Sequence, residues 1–234
     1  MSKSAYSKHE IIKEIIEWDI FNWSRALSYW ESFNVDLSSG KKVLEIGSRN
    51  GGLSLYCALK GASVTCSDLD GPSDEAINKH KKFGVDSLIN YEKINVLDIN
   101  YISHFDVVIF KSVLGGVGKN NKIYNQEKAV AQMYKALKLG GHLLFVENLS
   151  ASSIHQILRK NLISWGDYWR YITEEEMLDF LSDFNICNTT TFGILGTFGR
   201  NEIQKKVLGC IDKFLLENFL PTKTNYIISG VAVK

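Results

Sequence analysis

Apolar and polar positions alternate along this chain with two different periods, and the switches between them divide it into elements. From His9 to Phe33 the apolar residues Ile12, Ile15, Ile16, Trp23, Leu27 and Trp30 recur at three- and four-residue intervals, which predicts a helical N-terminal extension within residues 1–40. Either Asp19 or Asn22 suits the cap of a second helix there, because a short polar side chain can accept from a first-turn amide. After NVDLSSGKK the helical spacing gives way to short apolar runs: KVLEIG, ASVTCSD, INVLDI, FDVVIF and HLLFVEN. The segments between them, GGLSLYCALKG, DEAINKHKKFG and QEKAVAQMYKALKLGG, suit helices. Strands alternating with helices predict crossover units around a parallel sheet. Residues 107–110 and 143–146 are apolar at consecutive positions, as strands covered on both faces should be. Gly61, Gly84 and the pair Gly140 and Gly141 follow predicted helices as left-handed stops. Asp70 and Asp74 read as turn or capping residues.

Past Ser150 the pattern changes to a helix, an aromatic loop and a second helix, the last capped by Thr173 with Glu176 closing the box. Two more strands, near NTTTFGIL and TNYIISGVAV, flank a helix around residues 202–218. The fold class is therefore α/β, doubly wound, with helices on both faces of a mainly parallel sheet. Residues 1–234 read as one domain, since no linker or repeat interrupts them.

Composition narrows the partners. Lys plus Arg at 27 nearly cancels Asp plus Glu at 26, so no basic excess points to a phosphate backbone. Cys57, Cys66, Cys187 and Cys210 are widely spaced and read as reduced, mostly core thiols. His9, His80, His104, His142 and His155 show no close ligand spacing, so no metal site is expected. Neither a signal peptide nor a membrane span fits the charged N-terminal pattern, and the expected location is cytoplasmic.

The candidate chemistry lies in VLEIGSRNGGLSL, residues 43–55, where a strand carrying an acid dissolves into glycine. A strand–turn–helix of this kind sets backbone amides at the carboxyl edge of the sheet, where α/β proteins bind ligands. Against the dinucleotide pattern G-x-G-x-x-G the turn GSRNGG fails at its middle glycine, where Arg49 stands. Glu45 would repel a pyrophosphate, so the ligand should offer positive charge, and a nicotinamide-dependent oxidoreductase becomes the alternative.

EIGSRNG resembles the first motif of class I S-adenosylmethionine-dependent methyltransferases, with Glu45, Gly47 and Gly51 matching and Arg49 departing. That resemblance implies S-adenosylmethionine as cofactor, with Glu45, Gly47, Ser48 and Gly51 in its binding turn. It further implies that Asp68, ending VTCSD, accepts from the ribose hydroxyls. Asp98, ending INVLDI, would accept from the adenine amino group, with Ile99 offering an adjacent amide. KSVLGGVG resembles the family's turn beneath the methionine part, and ALKLGGHLLFVEN its passage into the fifth strand, with Leu139 where proline is common. The family's ending implies seven strands with the last antiparallel beside the sixth. NWSRALSYWESF, NLSASSIHQILRK and WGDYWRY resemble a bacterial branch associated with polysaccharide or other small-molecule methylation.

The implied reaction is methyl transfer to a small-molecule or glycan-linked acceptor, at oxygen. In-line transfer from a sulfonium depends on positioning and water exclusion, and a base is needed mainly for an acceptor that must lose a proton. Glu147, His155 and Lys111 are the candidate catalytic residues, each with a plainer reading as cap, surface-helix residue and solvated lysine. Residues 149–176 form the expected acceptor side. Trp18, Trp23, Trp30, Trp165, Trp169 and Tyr171 suit either a lid or core packing. Arg170 suits an anionic acceptor or a surface charge packed on rings, and Arg159 with Lys160 a solvated face. DNA is not an expected substrate, because Pro72 and Pro221 fit neither proline signature of DNA methyltransferases. A catalytically silent cofactor-binding module is the non-enzyme alternative.

Overall fold

Val, Ile and Leu at the predicted strand positions bring their backbones side by side in the computed structural model, which describes residues 6–162 and 169–234. The chain opens with α1 (Lys8–Ile16), α2 (Ile20–Trp23) and α3 (Arg25–Glu31), then alternates β1 (Lys42–Ile46), α4 (Gly52–Leu59), β2 (Ser63–Asp68), α5 (Asp74–Lys82), β3 (Ile89–Lys93) and β4 (Phe105–Lys111). A short α6 (Leu114–Val117) and α7 (Ile123–Ala136) lead into β5 (Leu137–Asn148). There follow α8 (Ser153–Leu162), α9 (Glu174–Phe180), β6 (Ile186–Phe192), α10 (Glu202–Phe214) and β7 (Ile227–Val233).

Among the described residues seven strands form one sheet, in the order β3-β2-β1-β4-β5-β7-β6. β7 runs antiparallel to both neighbours, and the β1–β2, β1–β4, β2–β3 and β4–β5 pairs are parallel. The doubly wound, mainly parallel fold class is as expected. Side chains alternate across β4: Val107 and Ile109 join one buried cluster with α1, α3 and α4, whereas Val108 and Phe110 join another with α7 and α9. The N-terminal helices thus fold back on the sheet, with Ile16, Trp23 and Trp30 almost fully buried.

Local signals hold at several ends. Gly61 and Gly84 take positive φ of 106° and 67° just past α4 and α5. Thr173 and Glu176 close the capping box of α9. Other positions differ. Neither Asp19 nor Asn22 caps α2: Asp19 precedes it in a left-handed conformation without a capping bond, and Asn22 lies inside it. Gly140 and Gly141 do not stop a helix, because α7 ends at Ala136 and both glycines lie within β5. The third strand is INYEK, not INVLDI, so Asp98 and Ile99 sit in the loop beyond it. Cys57 and Cys66 are buried, but Cys187 is exposed. Among the described residues no helix is long and apolar enough to cross a membrane, and no group of three metal-capable side chains is found.

Candidate functional site at the carboxyl edge of the sheet

Parallel strands end together, and here the ends of β1, β2 and β4 gather the glycine turn, Asp68 and Lys111 at one edge. The turn is held from within. Glu45, 3% exposed, accepts from the Leu53 and Ser54 amides at 3.2 and 2.9 Å and from the Ser54 hydroxyl, so it caps the start of α4. Burial pushes its carboxyl up to about 7. The sequence reading set Glu45 facing a cationic ligand; the structure uses both its oxygens to fix the turn.

Gly47, Arg49 and Gly51 all take positive φ, of 64°, 49° and 70°. A side chain at Gly47 would meet Val113 at 2.6 Å, and one at Gly51 would meet His80 at 2.5 Å. His80 is fully buried; its Nε2 donates to the Gly51 carbonyl at 2.8 Å and its Nδ1 accepts from the Tyr91 hydroxyl at 3.0 Å. His80 therefore braces the turn from α5, a role sequence reading missed because a lone histidine on a charged helix carries no signal for it. The Ser48 amide donates to Ser67 O, and among the described residues its buried hydroxyl finds no oxygen or nitrogen partner.

Asp68 is half-buried, and its two oxygens accept from the amides of Arg49 at 2.8 Å and Leu69 at 2.7 Å. It ties the end of β2 to the glycine turn. Asp98 is exposed, whereas Ile99 is buried and its amide donates to Gln132 Oε1 at 3.1 Å. The Ile99 amide is thus engaged by α7.

Lys111, 9% exposed, is not a solvated lysine. Its ammonium donates to the carbonyls of Ile15 and Ile16, at 3.3 and 2.7 Å, and lies 3.6 Å from Glu17. Burial pulls it down to about 8. The Trp18 ring lies 3.9 Å from this ammonium and 5.0 Å from the Arg49 guanidinium, which joins the end of α1 to the glycine turn. A side chain at Gly52 would strike the Ile15 carbonyl at 2.1 Å, so only glycine admits this approach.

Glu147 is also fully buried: it accepts from the Val113, Leu114 and Asn148 amides at 2.8, 2.7 and 2.8 Å and clamps the turn after β4 to the end of β5. His155, 3% exposed, is not a surface-helix residue. Its Nε2 donates to the Ile194 carbonyl and its Nδ1 accepts from the Ser152 hydroxyl, both at 2.7 Å. Burial pulls its pKa down. Arg159 is 4% exposed, donates to Leu149 O at 2.6 Å and stacks 4.2 Å from the Tyr171 ring, so the solvated-face reading fails for it. Arg170 pairs with Glu176 at 2.6 Å. Trp169 lies against Gly115 and Gly116 with its indole nitrogen buried and without a hydrogen-bond partner among the described residues, while Trp165 lies outside them.

A model of the methyltransferase domain matches residues 23–189, most of the chain, including the whole parallel half of the sheet. The chain belongs to this methyltransferase domain family. The ubiquinone/menaquinone biosynthesis C-methyltransferase of Psychromonas ingrahamii is 26% identical over 152 residues, 62% of this chain and 56% of that protein. This family member therefore spans little more than half the length of that curated relative. Among solved structures, phosphoethanolamine N-methyltransferase 2 of Haemonchus contortus, in complex with S-adenosyl-L-methionine, shares the fold with a TM-score of 0.63 at 18% identity, covering 99% of this chain and 58% of that one. Geranyl diphosphate C-methyltransferase of Streptomyces coelicolor A3(2) gives a TM-score of 0.63 at 11% identity over 99% and 86% of the two chains.

Proposed function

We propose that this methyltransferase-family chain binds S-adenosylmethionine along the ends of β1, β2 and β4 and directs its methyl group to a small hydroxylated ring acceptor, at oxygen. The residues present fit that cofactor. Each Asp68 oxygen keeps a further lone pair for a ribose hydroxyl, Gly47 and Gly51 let the backbone come close, and the buried Ser48 hydroxyl finds no hydrogen-bonding oxygen or nitrogen among the described residues. Asp98, in the exposed loop after β3, is the proposed contact to adenine. S-adenosylmethionine supplies an electrophilic methyl on a sulfonium; the chain supplies position and dryness.

The observation that carries the acceptor class is the engagement of the candidate bases. Glu147, His155 and Lys111 all spend their polar atoms on the protein's own backbone and side chains. An acceptor held beside them must ionise with little help. A phenol, with a pKa of ~10, does so far more readily than a sugar hydroxyl. The phenol reading therefore displaces the glycan-linked one, and the three residues become positioning groups. Methylation at the ring carbon beside that hydroxyl is the second reading, because the curated relatives are named C-methyltransferases and a phenolate is nucleophilic at carbon as well. Trp169, packed against Gly115 and Gly116 of α6, is proposed to wall the acceptor side.

Incubation with S-adenosylmethionine carrying a deuterated methyl group and separate panels of phenols and glycosides tests this. Labelled phenolic product is expected, and NMR of the isolated product separates O-methyl from C-methyl. Label on glycosides alone would contradict the reading. Trp169→Ala is expected to raise the acceptor KM about tenfold while leaving cofactor affinity within about twofold, measured by initial rates and calorimetry.

A further inference from the structure

Helix α10 is amphipathic in the reverse of the usual sense. Its inward face carries Gly209 and Asp212; Asp212 is fully buried and accepts from the amides of Ile194, Leu195 and Gly196 at 2.8–2.9 Å. Its outward face carries Ile203, Val207 and Phe214, which are 77%, 56% and 67% exposed. With 3.6 residues per turn these three project within about 40° of one another, away from Asp212. The apolar surface continues beyond the helix through Leu215 and Phe219, the latter 83% exposed. A surface helix ordinarily turns such a stripe towards the core.

The charges of the same segment are sorted. Its acids are spent on the protein: Glu217 pairs with Arg25 and accepts from the Gly193 amide, and Glu202 accepts from the Asp19 and Ile20 amides. The exposed basic residues Arg200, Lys206, Lys213 and Lys223 remain on the outside. Beside the stripe, a groove of about 460 Å³ runs between α10 and the first helices, lined by Ile12, Ile20, Phe21 and Ile203 together with Lys13, Lys206 and Glu202, the last already engaged by the Asp19 and Ile20 amides.

We propose that this face docks on an anionic lipid membrane, with the stripe in the boundary between headgroups and acyl chains and the lysines against the lipid phosphates. An apolar band flanked by lysines matches the two attractions such a surface offers. A second copy of the chain meeting the same face across a two-fold axis would set basic patch against basic patch, which opposes association. The inference does not depend on the methyl-transfer reading.

Co-sedimentation of the full chain with vesicles, without cofactor or acceptor, tests it. Binding is expected to vesicles of phosphatidylglycerol mixed with phosphatidylcholine, to weaken with added salt, and to be at least about tenfold lower on phosphatidylcholine alone. The exposed-site variants Phe214→Ser/Phe219→Ser and Lys206→Glu/Lys213→Glu are each expected to lose about tenfold in partitioning while melting as wild type by circular dichroism. Equal binding to both vesicle types, or undiminished binding by both variants, would overturn the proposal. Absence of vesicle binding would overturn it too, and elution as a dimer that the phenylalanine variant splits would assign the face to a second copy.

Discussion

Glu45→Ala is expected to cost about 3 kcal/mol of stability, read as a lowered midpoint in urea unfolding, and to abolish measurable cofactor binding. The reason lies in what the side chain holds. Its carboxyl is buried, and removing it strands the Leu53 and Ser54 amides and the Ser54 hydroxyl in a site water does not reach. Each buried donor left without a partner costs roughly 1–3 kcal/mol, offset in part where the helix start can shift. The same shift would misplace the amides of the glycine turn, so the binding loss should exceed the stability loss in relative terms. Glu45→Gln, which keeps the shape and one acceptor oxygen, is expected to cost only about 1 kcal/mol. Equal effects from both variants would show that volume, not hydrogen bonding, holds the turn.

Glu147→Gln should change the pH dependence of stability more than its value at any one pH. Burial raises the Glu147 carboxyl from its ordinary 4.5 to about 7 in the folded chain. Between those two values the folded protein binds more protons than the unfolded one, so unfolding free energy falls as pH rises through the window and levels off above it. Such a shift is worth on the order of 3 kcal/mol across the window. Glu45 contributes a slope of the same sign over the same range, so Glu147→Gln is expected to remove about half of the total slope. Denaturant unfolding at a series of pH values between those limits measures this. The variant should also slow methyl transfer, because Val113 and Leu114 in the turn after β4 lose a clamp. An unchanged slope would mean that Glu147 stays ionised throughout the window.

Sequence period carried the sheet and most helices, because strands buried on both faces, such as residues 107–110, leave few alternatives. It failed where burial came from outside the element. Ile94, Val96 and Ile99 mimic a strand because all three are buried, but they pack in a loop over the second core cluster while INYEK pairs with β2. The acids were visible and their direction was not. Glu45 looked like half of a ligand contact, yet the amides eight and nine residues later take both oxygens. Asp19 looked like a cap, yet its carboxylate bonds Tyr226 and Asn22, and such a partner 207 residues away has no local signature. Arg159 and His155 sit on a helix whose apolar spacing gives no hint that Leu149, just past β5, and the loop after β6 will engage them. Asp68 was legible as an acid ending the second strand; that its two oxygens accept from the Arg49 and Leu69 amides was not, because both bonds depend on how the glycine turn folds.

Calorimetric titration of S-adenosylmethionine and its demethylated product into wild type, Asp68→Ala and Asp68→Asn, with NAD as control, addresses the central claim directly. Micromolar binding of both cofactor forms, no binding of NAD, and a loss of about a hundredfold in Asp68→Ala with a smaller loss in Asp68→Asn are expected, the affinity of about two charge-assisted hydrogen bonds to the ribose. Unchanged cofactor affinity in a folded Asp68→Ala, or NAD binding in place of S-adenosylmethionine by the wild type, would contradict the account.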